Sequence, residues 1–181
     1  MKKILSTVAI SAIFSTSIMG ADFIQGGYYG GFGVGFEDYS RYSNTDPGMT
    51  LVLNGGKPIK KLGPGTIGAE VEFTYTLVPL SYNYGHYYDH YDDLDLDVMT
   101  LGGYATYTFD HSDKLYSRAK VGIVHRKYSF DGYYSDTNSV GVAAGIGGGY
   151  KLNSFMKLYS DFILADGSNL MQLNFGVQVG L

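Results

Sequence analysis

The chain ends in "LMQLNFGVQVGL", where every second residue is apolar. Met171, Leu173, Phe175, Val177, Val179 and Leu181 alternate with Gln172, Asn174, Gly176, Gln178 and Gly180. Side chains of a β-strand point to opposite faces with a period of two, so this alternation means a strand whose faces meet different environments. The pattern fills the chain. One parity carries Ile24, Tyr28, Phe32, Val34 and Phe36, then Ile67, Ala69, Val71, Phe73, Tyr75 and Leu77. It continues with Leu115, Ala119, Val121 and Ile123, and with Val140, Val142, Ala144, Ile146, Tyr150 and Leu152. Weaker runs surround Leu51, Ala105 and Phe162. Eight strands are expected, at about 24–37, 49–56, 65–78, 95–109, 115–128, 139–152, 155–165 and 170–181.

The first residues follow a different rule. Lys2 and Lys3 precede an uncharged, apolar and hydroxyl-rich run, Ile4 to Met19, and then the small residues Gly20 and Ala21. This is the form of a cleaved secretory signal peptide, so residues 1–21 are expected to be removed and 22–181 to form one domain. An exported chain without cysteine is held by something other than disulfides. A net charge of -4 with no basic stripe offers nothing to nucleic acid. Charged residues make up 17%, against about 25% in soluble domains, while glycine (26) and tyrosine (18) are abundant. Such a chain needs less contact with water than most.

The face opposite the apolar one decides the architecture. In a soluble sandwich it would be rich in Lys, Glu and Thr; here it is mainly glycine with Gln, Asn, Tyr and a few charges. Small residues suit the crowded interior of an eight-stranded barrel, which side chains just fill. The apolar parity then faces lipid, and closure removes the strand edges that hydrocarbon does not tolerate. Connections alternate in length, as expected of periplasmic turns and extracellular loops. "DHSDK" (110–114) and "NS" (153–154) are short, whereas 38–48, 78–93 and 129–138 are long. "GGKPIKKLGPG" (55–65) and "DGSN" (166–169) depart from that rule. Leu94, Leu96 and Val98 are out of phase with Leu101 and Ala105, so a β-bulge is expected near 98–100. Tyr107, Phe109, Tyr150 and Phe155 lie at strand ends where an aromatic girdle belongs.

The expected fold is therefore an all-β, eight-stranded antiparallel up-and-down transmembrane β-barrel. As a whole the pattern resembles the small outer-membrane β-barrel proteins of Gram-negative bacteria, of the OmpA/OmpX-like type, with the barrel alone and no periplasmic domain. The resemblance implies residence in the outer membrane as a monomer, with lipid and lipopolysaccharide around it. It also implies that Phe175, Val177, Val179 and Leu181 form the C-terminal signal read by the barrel assembly machinery, although Leu181 replaces the usual aromatic residue.

Three groups of residues are candidates for function. Glu70, Glu72, Arg118, Lys120, Lys157 and Asp161 share the inward parity, and charges in a narrow lumen must be paired. They form either a structural plug or an ion-conducting constriction. Tyr82, Tyr84, His86, Tyr87, Tyr88 and Tyr91, with Tyr133 and Tyr134, make a tyrosine-rich exterior suited to an unidentified extracellular ligand or to the lipopolysaccharide boundary. The aspartates beside His86 and His90 have neither zinc spacing nor the glycine and distal glutamate of an EF-hand, so no metal and no cofactor is expected. His125 with Arg126 and Lys127 reads as a basic rim near lipid phosphates. No spacing among the histidines supports catalysis. The reading is a non-enzymatic barrel serving envelope integrity or surface interaction; the alternatives are a narrow porin and, behind it, a lipid-A-modifying barrel enzyme.

Overall fold

The structure, a computed structural model, describes residues 27–39, 45–82, 94–130, 137–165 and 170–181. Its strands are β1 (Tyr29–Tyr39), β2 (Thr45–Asp46), β3 (Gly48–Leu62), β4 (Gly65–Val78) and β5 (Leu80–Tyr82). They continue with β6 (Leu94–Asp110), β7 (Leu115–Phe130), β8 (Thr137–Lys151), β9 (Met156–Ala165) and β10 (Leu170–Gly180). Eight long strands pair antiparallel around a ring, β1–β3–β4–β6–β7–β8–β9–β10, and β10 returns to β1. The closing ladder runs from Tyr29↔Gly180 to Tyr39↔Leu170, so the alternating C-terminal segment is the strand that seals the barrel. The two short strands pair with each other and carry the β3–β4 ladder past Pro47 and Pro79. Those prolines break the long strands because they have no N–H to donate.

Strand ends differ from the sequence expectation in two places. β1 starts at Tyr29, opposite Gly180 of β10, and residues 24–26 of the expected strand lie outside the described residues. β3 runs on to Leu62, so 55–65 is not a long connection but a strand followed by a two-residue turn at Gly63–Pro64. Gly63 has φ 57°. A hairpin turn of this length needs that left-handed backbone at its first central residue, and glycine reaches it without strain. The other short turns span 111–114 and 152–155, at the same end as Tyr29 and Leu181. The segment 166–169 lies outside the described residues.

The outer surface is apolar along its length. Ile123, Val140, Val142 and Ile146 are each at least 65% exposed, and Phe32, Val71, Leu101, Phe162 and Phe175 share that face. Soluble monomers rarely expose contiguous apolar patches beyond a few hundred Å²; this surface belongs in hydrocarbon. The long strands, of 10 to 17 residues, all meet the roughly 9–11 that a tilted membrane strand needs. Tyr28, Tyr150 and Phe155 are exposed at the short-turn end, where Tyr107 donates its hydroxyl to the Leu62 carbonyl at 3.2 Å.

The inner face is layered. Down β7, from the long-connection end to the short-turn end, the inward side chains are Tyr128, Arg126, Val124, Lys120, Arg118 and Tyr116, all buried. Tyr128 joins Leu80, Leu96, Val98 and Leu170 in an apolar cluster that caps the lumen at the long-connection end. This cluster corrects the bulge expected near 98–100. β6 pairs without a break from Leu96↔Phe130 to Asp110↔Tyr116, and Leu96 and Val98 are apolar because they point into the cap. Register shifts lie instead in the β3–β4 pair, between Met49 and Thr50 and between Pro58 and Lys60.

Val121, 55% exposed on β7, tests which face meets lipid. Val121→Arg is expected to lower folding stability in lipid vesicles by about 2–4 kcal/mol if the site sits at bilayer mid-depth. An unchanged folding equilibrium would mean that the outer face is not in hydrocarbon.

Candidate functional site

Three strands, β4, β7 and β9, supply a charged cluster. Arg118 (β7) donates from Nη1 to Glu70 Oε2 (β4) at 2.9 Å. Its Nε donates to Asp161 Oδ1 (β9) at 2.6 Å and its Nη2 to Asp161 Oδ2, a two-pronged contact that suits the planar fork of arginine. The ammonium of Lys120 lies 2.8 Å from Glu72 Oε2, 3.2 Å from Asp161 Oδ2 and 3.4 Å from Glu70 Oε1. Tyr29 donates its hydroxyl to Glu70 at 2.7 Å, and Gln178 adds an amide at 3.3 Å. The Arg118 guanidinium sits over the Tyr159 ring and the Lys120 ammonium over Tyr104. All five charged residues are at most 6% exposed.

Glycine makes these contacts possible. Arg118 pairs in register with Gly147, which pairs with Asp161. With no side chain on the intervening strand, the guanidinium reaches across β8 to the carboxylate. Tyr116 does the same over Gly149, donating to the Leu158 carbonyl at 3.0 Å. Tyr29 crosses Gly56 to Glu70. The inward glycines are the spaces through which large side chains two strands apart meet.

Of the six residues expected to line the lumen as charges, the structure brings five together. Lys157 stands one layer out toward the short-turn mouth, its ammonium 5.4 Å from the centre of the Tyr116 ring. Two charged residues were missed as lumen groups. Glu37 is fully buried on the inward parity of β1, where Gln172 donates to it at 2.5 Å and Thr74 at 3.4 Å. Arg126 is equally buried and donates to the Tyr128 hydroxyl at 3.1 Å; it is not part of a rim with His125, which is exposed. Arg126 has the same parity as Arg118 and Lys120, and that was the signal available. This upper polar layer is less completely bonded than the charged cluster. Glu37 Oε2, Thr50 Oγ1, Thr100 Oγ1 and both amide atoms of Asn174 make no hydrogen bond within the described protein.

The loop candidates Tyr84, His86, Tyr87, Tyr88, Tyr91, Tyr133 and Tyr134 lie outside the described residues, and of Tyr82 only the backbone pairing with Leu94 is described. Phe175, Val177, Val179 and Leu181 lie on the outward parity of the closing strand and just past its end, and Leu181 donates its N–H to the Tyr28 carbonyl at 2.8 Å.

The carboxylates of Glu70, Glu72 and Asp161 lie within 4.8 Å of one another. Such a group could hold a cation, but Arg118 and Lys120 already occupy that role. His111 Nε2 lies 3.0 Å from Ser117 Oγ at an exposed turn. Its ring packs edge-on against Phe109 at 4.8 Å.

No family model and no curated protein matches the chain. Solved structures do. Ail of Yersinia pestis, in a crystal structure with the heparin analogue sucrose octasulfate, matches over 86% of this chain and 97% of its own, with a TM-score of 0.55 and 10% identity. Neisserial surface protein A matches over 85% and 97% (TM-score 0.56, 13% identity). The outer membrane protein OprG of Pseudomonas aeruginosa matches over 91% and 96% (TM-score 0.56, 12% identity). The fold is that of the eight-stranded outer-membrane barrels.

Breaking the cluster should be costly. Arg118→Ala strands Glu70 and Asp161 in the lumen and is expected to destabilise the refolded barrel by about 3–5 kcal/mol in urea unfolding from lipid. Adding Asp161→Ala should recover part of that loss; strict additivity would argue against the pairing. Gly147→Ala places a Cβ against Asp161 Oδ1 and the Ser160 carbonyl, and should cost about 1–3 kcal/mol by displacing the same contact.

Proposed function

We propose that this protein is an integral outer-membrane barrel with a closed lumen and no catalytic role, acting through the surface at its long-connection end. The observation that carries this reading is the double obstruction of the lumen. The apolar cap of Leu80, Leu96, Val98, Tyr128 and Leu170 lies at one level, and the Arg118 and Lys120 cluster at another. A conducting path through a narrow barrel needs hydrated groups that an ion can displace, whereas these charges are buried and already bound to one another. The barrel fold it shares with Ail, Neisserial surface protein A and OprG supports placement in the outer membrane.

With the lumen shut, what the molecule offers its surroundings lies at its two ends. The connections 83–93 and 131–136 carry Tyr84, Tyr87, Tyr88, Tyr91, Tyr133 and Tyr134 among aspartates. Tyrosine gives large contact area at low entropic cost, which suits a recognition surface. In this reading residues 1–21 act as the export signal, and the closing strand through Leu181 engages the assembly machinery.

Refolded protein in a planar bilayer is expected to stay electrically silent, in wild type and in Arg118→Ala variants that still fold. Steady, reproducible current steps in wild type, altered by that substitution, would replace this reading with that of a narrow porin.

A further inference from the structure

The lysines of this chain are unevenly placed. Apart from Lys2 and Lys3 there are eight, and six of them, Lys57, Lys60, Lys61, Lys114, Lys151 and Lys157, line one concavity at the short-turn mouth. This vestibule has a volume of about 1060 Å³, and Tyr29 contributes to its wall. The acidic residues on its wall are Asp110 and Asp113, which leaves a local charge of about +4 in a protein whose net charge is -4. The opposite bias holds at the far end, where the connections carry Asp89, Asp92, Asp93, Asp131, Asp136 and Asp166 in sequence. A concave site lined by one sign of charge focuses its field and concentrates counter-ions.

We propose that the vestibule is a binding site for a soluble multivalent anion, a polyphosphate or polycarboxylate, that enters along the barrel axis from the short-turn side. Lysine suits such a ligand because its ammonium is a point charge on a flexible stem that follows a ligand's shape. Ser112, Thr66, Thr106 and Thr108 add hydroxyl groups to the same wall. A lipid headgroup is the other source of phosphate, and the placement of the lysines separates the two. Lys57 and Lys114 lie on the rim, over the outward-facing rings of Tyr28 and Tyr150 at 4.9 and 5.9 Å; lysines there would meet headgroups around the barrel. Lys151 and Lys157 lie inside, one 2.9 Å from Asp110 and the other over the buried ring of Tyr116. Headgroups packed around the barrel do not reach that interior; a soluble anion does. This site needs only the open mouth and not the loop surface, so either reading can fail without the other.

The test is calorimetric titration of inorganic tripolyphosphate into the refolded full chain in zwitterionic micelles, at low and at raised salt. Binding is expected at low salt and should weaken steeply with added salt. Lys151→Gln combined with Lys157→Gln should lower the affinity more than about tenfold, while Lys57→Gln combined with Lys114→Gln should lower it less. Lys157→Gln alone serves if the inner double variant does not fold, and must still weaken binding. Lys127→Gln, at the far end of β7, should change nothing. No heat of binding at low salt, or an inner variant that binds like wild type, overturns the proposal. A larger loss in the rim variant also overturns it, and assigns the lysines to lipid headgroups.

Discussion

Arg118 is a full positive charge in the centre of a barrel from which water is largely excluded, and the remaining interior is arranged around that fact. An isolated charge there would cost several kcal/mol in lost hydration. Its partners must therefore come close and must themselves be neutralised. Glu70 and Asp161 bind Arg118, and Lys120 then balances both of them together with Glu72. Three carboxylates against two cations leave a slight excess of negative charge, which hydrogen bonds from Tyr29 and Gln178 to Glu70 help to disperse. The cluster ties β4, β7 and β9 together across the lumen, in addition to the ladders that join neighbouring strands around the wall.

A ring of ladders alone fixes which strand follows which, but leaves the interior to be filled. Here the filling is done by long side chains reaching over glycine. Arg118 over Gly147, Tyr116 over Gly149 and Tyr29 over Gly56 are one device used three times. It sets a requirement on register. A slip of one residue in β8 that brought Ile146 opposite Arg118 would place a side chain under it and turn Gly147 outward, so the glycine adds to the register preference set by the apolar face.

The outward face was legible because hydrocarbon asks one thing of every residue on it, and a period of two shows that request directly. Eight strands and most of their limits could be read in this way. The inward face was legible only in part. Parity placed Glu70, Glu72, Arg118, Lys120 and Asp161 inside, but it does not say which residues two strands apart will touch; that depends on register and on the glycine between them. Arg126 shared the inward parity and was still read as a rim residue, because a basic triplet near a strand end looks like surface. Leu96 and Val98 misled for the opposite reason. Periodicity alone assigns apolar residues to lipid, whereas at the long-connection end an apolar cluster lies inside the barrel. Parity alone groups Lys157 with the cluster, because it carries no information on depth along the axis.

The two ends of the barrel differ in chemistry, and the apolar and charged clusters lie between them. At one end Leu80, Leu96, Val98, Tyr128 and Leu170 form a buried apolar cluster inside the barrel. At the other end the interior is open as far as Tyr29 and Lys157, and its wall is basic. On the closed-lumen reading proposed above, charge at the open end does not draw ions through. On that reading it acts on what enters the vestibule and leaves by the same mouth.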